Sequence, residues 1–117
     1  MPLPPLLSAA LAEAEPLVAT RGWVAPSAAT IAAAGRLLAL VATQPRPPAV
    51  QVEPDGRISF EWEADEHGWL TLSVDEAGRL AHSAVIGEDE FTQVEAFDAA
   101  LPDWAATLLG RLLRAGH

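Results

Sequence analysis

Three five-residue stretches, each with glycine in fourth place, constrain the fold of this chain more than any other feature. They are Glu53-Pro54-Asp55-Gly56-Arg57, Asp65-Glu66-His67-Gly68-Trp69 and Asp75-Glu76-Ala77-Gly78-Arg79. A type I turn followed by one residue in the left-handed region closes a β-hairpin, and glycine adopts that region without a Cβ clash. Pro54 presets the dihedral of the first turn. Asp65 and Asp75 can accept hydrogen bonds from the amides of their own turns. The pattern predicts four strands, over about 49–53, 57–64, 69–75 and 79–86.

Closing pairs 53/57, 65/69 and 75/79 fix a register for each hairpin. Val52 then faces Ile58, Phe60 faces Val74, Trp62 faces Leu72, and Val74 faces Leu80. Side chains alternate along a strand. Val50, Val52, Ile58, Phe60, Trp62, Leu70, Leu72, Val74, Leu80, Ala84 and Ile86 therefore share one face. Ser59, Glu61, Glu63, Thr71, Ser73, Ala81 and Ser83 share the other. Three turn assignments made separately agree with one apolar face and one polar face.

Helices are expected on either side of this meander. Leu6, Leu7, Ala10, Leu11 and Ala14 recur at three- and four-residue spacing, predicting a helix over 4–15 that Pro16 ends or kinks. Ser27 is a good N-cap for a second helix running to about Ala42, with Ile31, Ala34, Leu38 and Val41 as its apolar line. The run Pro45-Arg46-Pro47-Pro48 reads as a stiff link into the sheet. Pro102 and Asp103 suit the first turn of a last helix, whose stripe is Trp104, Ala105, Leu108, Leu109, Leu112 and Leu113. Residues 87–100 fit a helical period through Phe91, Val94, Phe97 and Leu101, or an irregular edge. The fold class that follows is α+β in a single domain, 1–117: two N-terminal helices, a four-stranded antiparallel β-meander and a C-terminal helix, with the helices on one face of the sheet.

The 117 residues suffice for one packed core without disulfides, and there is no cysteine to form any. The apolar stretches are too short for the ~20 residues of a membrane span. Leu3 to Leu11 lacks the preceding basic residues of a secretory signal, so a cytoplasmic location is expected. Formal net charge is −9 with no lysine, and residues 53–103 carry fourteen carboxylates against Arg57 and Arg79. Such a field repels nucleic-acid phosphates and anionic lipid, which argues against direct nucleic-acid or membrane partners. The second helix offers Arg36 but no amide side chain for reading base edges, so helix-turn-helix recognition is not expected.

No catalytic or metal constellation emerges. Glu61 and Glu63 fall on a solvated strand face, where nothing shifts a carboxylate toward acid–base work. His67 has no second imidazole at ligand spacing, and Glu88-Asp89-Glu90 reads as a solvated acidic loop. The serines lie outside any nucleophile-elbow context, and the glycines are scattered rather than grouped around a phosphate. No cofactor is expected. His82 is placed on the core face opposite Leu72, as a packed histidine. An enzymatic reading would need His82, Asp98 and the acidic loop to converge.

Trp69 stands out for function. It falls on the otherwise polar face with Val85 opposite, rimmed by Glu63 and Asp65, unless a loop over 87–97 folds across it. That arrangement resembles the anchor of a protein interface. The expected partner-binding residues are Trp69, Val85, Glu61 and Glu63. The expected function is a non-enzymatic module for a basic protein partner, of the inhibitor or antitoxin-like kind, with a structural homodimer as the alternative.

The stretch Pro54-Asp55-Gly56-Arg57-Ile58-Ser59-Phe60-Glu61-Trp62, followed by Leu70-Thr71-Leu72-Ser73-Val74, resembles a family of small uncharacterised bacterial proteins. Its members carry a Pro-Asp-Gly-x-Ile-x-Leu/Phe-Glu-Trp hairpin motif after a Pro-rich link. The family's earlier Trp-Asp-Gly-Tyr segment is matched only by Gly22-Trp23-Val24-Ala25-Pro26, without the aspartate and tyrosine. The resemblance spans about residues 20–82 and implies the helix-then-hairpin order, with no implied activity.

Overall fold

Eight elements follow one another in the computed structural model, which describes residues 3–42, 44, 46–64, 66, 68–97 and 102–115. They are α1 (Pro5–Arg21), α2 (Ala28–Val41), β1 (Ala49–Val52), β2 (Ile58–Glu63), β3 (Gly68–Val74), β4 (Arg79–Ile86), β5 (Asp89–Ala96) and α3 (Asp103–Ala115). The strands form one antiparallel sheet in the order β1-β2-β3-β4-β5. The fold is α+β, as expected, but the sheet has five strands rather than four.

The fifth strand replaces the helix-or-loop alternative for 87–100, of which residues 98–100 lie outside the described residues. Ile86 pairs with Asp89 across a two-residue turn, and Gly87 takes φ +63° there. Such turns require a positive φ that glycine supplies. Phe91 falls on the helix side of the sheet and Val94 on the other, so β5 has no apolar alternation to read. Its three-residue spacing of apolar residues imitates a helix instead.

The outer hairpins follow the expected registers. Val52 pairs with Ile58 and Val74 with Leu80. Gly56 and Gly78 have φ +90° and +75°, and the Asp75 carboxylate accepts from the amides of Ala77 and Arg79, each at 3.0 Å. The middle hairpin is displaced by two residues: Phe60 pairs with Leu72 rather than Val74, and Trp62 with Leu70 rather than Leu72. The Ala64 amide donates to the Gly68 carbonyl at 2.9 Å, closing the hairpin one residue earlier on each side than 65/69. Asp65 and His67, named in the expected turn, lie outside the described residues.

Gly68 thus belongs to β3 itself rather than to a turn. A Cβ at Gly68 would lie 1.9 Å from the Val85 carbonyl oxygen, so the close approach of β3 to β4 demands glycine. A shift of two residues keeps every side chain on its face, and the face assignments therefore survive.

α1 runs six residues beyond the expected Glu15, carrying Pro16 inside it. A single lost backbone bond does not end it; the Thr20 hydroxyl donates to the Pro16 carbonyl at 2.6 Å, and the helix stops at Gly22, φ +70°. α2 starts as expected, with the Ser27 hydroxyl accepting from the Thr30 amide at 3.1 Å. Pro102 lies just outside α3, its carbonyl accepting from the amides of Ala105 and Ala106. The link before β1 is pinned where the Trp62 indole donates to the Arg46 carbonyl at 3.1 Å.

Every sheet residue of the core comes from one face: Val52, Ile58, Phe60, Trp62, Ala64, Leu70, Leu72, Val74, Leu80, Ala84 and Ile86. Leu7 and Ala14 of α1, Leu37 and Val41 of α2, and Leu109 and Leu112 of α3 fill the space above it. The molecule is two layers, and no described helix covers the second face of the sheet. Among the described residues, no helix is long and apolar enough to cross a membrane.

Candidate functional site

The uncovered face is built in rows by the strand register. Its end row is Glu63–Trp69–Val85–Glu90, each residue paired with the next across β2, β3, β4 and β5. The following rows are Ala49–Glu61–Thr71–Ser83–Thr92 and Gln51–Ser59–Ser73–Ala81–Val94. Trp69 and Val85 are half-buried, whereas Glu63 and Glu90 are exposed. An aromatic and a β-branched side chain are thus adjacent, with a carboxylate at each end of the row.

Of the residues expected at this site, Trp69, Val85 and Glu63 lie side by side, and Glu61 lies one row away beside Thr71. Segment 89–96 does not fold over Trp69; it pairs as β5 and extends the open face. Glu90, which that strand contributes, was not expected at the site. Its only sequence signal was the acidic run 88–90, which carries no hint of pairing. Asp65, the other expected rim residue, lies outside the described residues.

Charge is unevenly spread over this face. Arg57 and Arg79 sit at the far end, near the first and third turns, and are held by their own aspartates: Arg57 Nε to Asp55 at 2.8 Å and Arg79 Nε to Asp75 at 3.0 Å. Partial burial pushes the Asp75 carboxyl upward. The hydrogen bonds from the Arg79 amide and guanidinium, its positive charge and the Ala77 amide outweigh that and leave it below the ordinary value. Arg46 borders the opposite edge with Pro47, Ala49, Glu61, Trp62 and Glu63. Among the described residues, Glu61, Glu63 and Glu90 form no ion pair.

A cleft of about 290 Å³ lies between the start of α2 and the first and third turns. Its two guanidiniums are those already paired with Asp55 and Asp75, so little positive charge is left for a ligand.

Comparison with family models, curated proteins and solved structures yields no match.

On the covered face, His82 lies opposite Leu72, as expected, and stacks on Trp104 of α3 with ring centroids 3.9 Å apart. It is only 5% exposed, and its Nδ1 is buried without a hydrogen-bond partner among the described residues. Burial pushes the imidazole below its ordinary pKa, while the charge of Glu95 pulls the other way. Glu95 is engaged by the Trp104 indole N–H. The acidic turn does not join this histidine. His82 lies four residues along β4 from Ile86, the partner of Asp89, which is about 13 Å of strand. Asp98, the third member of the enzymatic arrangement, lies outside the described residues. Among the described residues, no group of three or more histidine or carboxylate side chains could hold a metal ion.

Proposed function

We propose that this chain is a non-enzymatic protein-binding module that engages a basic partner through the open face of its sheet. The observation that carries the reading is the row Glu63–Trp69–Val85–Glu90 on the helix-free face. A half-buried indole presents large contact area at low entropic cost, and tryptophan is enriched among the residues that dominate interface energies. The flanking carboxylates would form the polar rim and select a partner of opposite charge, with Glu61 contributing from the next row. The net charge of −9 would steer such a partner over distance. A basic toxin or nuclease held inactive in the cytoplasm is the kind of partner this chemistry fits.

The test is co-purification of the tagged protein from its native host at low salt, beside Trp69→Ser. A stoichiometric basic partner is expected with the wild type alone, lost at about 0.5 M salt, where the Debye length is only a few ångströms. Recovery of an equal amount of partner by Trp69→Ser would remove the tryptophan anchor from the reading. Recovery of a pure homodimer would replace the reading with self-assembly.

A further inference from the structure

The backbone of β5 points half of its hydrogen-bonding groups away from the sheet, and its residues can be assigned. The Phe97 amide donates to the Gly78 carbonyl at 2.8 Å, and the two-residue turn closes on Ile86 and Asp89. In an antiparallel pair, residues that exchange bonds alternate with residues that do not. Residues 89, 91, 93, 95 and 97 therefore direct their backbone groups to β4, and Glu90, Thr92, Val94 and Ala96 direct theirs outward. Those four are exposed, Val94 at 57%, and no described residue pairs with them. The opposite edge of the sheet differs: β1 spans four residues and has α1 packed against it.

An open edge eight residues long is a template for another strand. Its charge selects the occupant. Residues 87–97 carry Glu88, Asp89, Glu90 and Glu95 and no basic residue. Asp89 is held by Arg111 at 2.8 Å, and Glu95 by the Trp104 indole. Glu88 and Glu90 have no such partner among the described residues. A second copy of the chain would add its own four carboxylates to this edge, with no basic residue in 87–97 to meet them. An extended segment rich in lysine or arginine meets the same groups with opposite sign.

We propose that the outer edge of β5 is a strand-addition site for an extended, cationic segment of a partner protein. This deepens the binding-module reading but does not depend on Trp69 as the anchor. The incoming strand becomes the sixth of the sheet and continues its open face. Side chains on that face fall beside Glu90, Thr92 and Val94, favouring a basic residue near Glu90 and an apolar one near Val94. The backbone groups of Glu90, Thr92, Val94 and Ala96 supply the pairing.

The experiment is amide hydrogen exchange of the full chain, with and without an extended eight-residue synthetic peptide that carries a lysine and a valine four residues apart, hence on one strand face, at low salt. Exchange at Thr92 and Val94 is expected to slow at least about tenfold when the peptide is saturating, as an opening of that edge becomes coupled to peptide release. Thr92→Pro removes one outward N–H and is tolerated on an edge strand, so it should abolish the slowing while leaving exchange in β2 and β3 unchanged. Peptide that binds without slowing Thr92 and Val94, or that slows Val94 equally in Thr92→Pro, overturns the proposal. So does slowing that grows with protein concentration in the absence of peptide, which would mark a second copy at the edge. Protection confined to the Trp69 row would end the strand-addition site and leave the open-face reading standing; the converse result would separate them the other way.

Discussion

Among the described titratable residues, His82 alone is buried. A buried imidazole whose Nδ1 has no partner among the described residues disfavours its own protonation, and the Glu95 charge only partly offsets this. The folded pKa therefore lies below the ordinary 6.5 that the unfolded chain retains. Below pH 6.5 the unfolded state binds the proton first, so stability rises with pH through this window. The histidine's contribution is complete above 6.5 and is lost as the pH falls toward the folded pKa. Denaturant unfolding between about pH 7.5 and about pH 5.5 should show a steeper loss for the wild type than for His82→Leu. His67 and His117 are common to both proteins and cancel in the comparison. Equal slopes would mean that His82 titrates alike in both states.

Among the elements, the two glycines at 35 and 68 make opposite predictions from the same atom. Gly35 lies inside α2, and a Cβ there meets nothing within 4 Å. Gly35→Ala should stabilise the protein by about 0.5–1 kcal/mol, because alanine gives up less backbone freedom in a helix. Gly68 has φ +137° and faces the Val85 carbonyl, so Gly68→Ala should cost about 3 kcal/mol through strain and forced separation of β3 and β4. Thermal unfolding of both variants checks the pair. A mild effect at Gly68 would argue for the expected 65/69 turn over the 64/68 closure. The same position shows how a register can shift while its faces hold: the glycine pattern marked a hairpin, but not whether glycine served a left-handed turn or a close strand approach.

For the whole molecule, the asymmetry of the two layers matters most. One sheet face is sealed by three helices, and the other is left with a tryptophan, a valine and a carboxylate rim. Both the acidic face and the acidic β5 edge oppose self-association. Sedimentation at low salt should return a monomer at micromolar concentration, whereas a homodimer would contradict the charge argument at both surfaces.

Much of this architecture was written locally. The glycine turns, the alternation of Val52 through Ile86 and the Ser27 cap are short-range signals, set by backbone sterics and by which side chains can be buried. They determined the α+β class, the first four strands, both sheet faces, the start of α2 and the adjacency of Trp69 and Val85. Tertiary structure decided the rest. Pro16 stays within α1 because the helix continues to the Gly22 cap. Gly68 is a strand residue because Val85 lies against it. Segment 89–96 becomes a strand although its own pattern does not demand one, since its backbone finds its partners in β4. That pairing carries Glu90 to the row of Trp69 and leaves an outer edge that no described residue pairs. Local sequence reports what a segment can bury; which backbone groups are left without a partner emerges only when every strand has taken its neighbour.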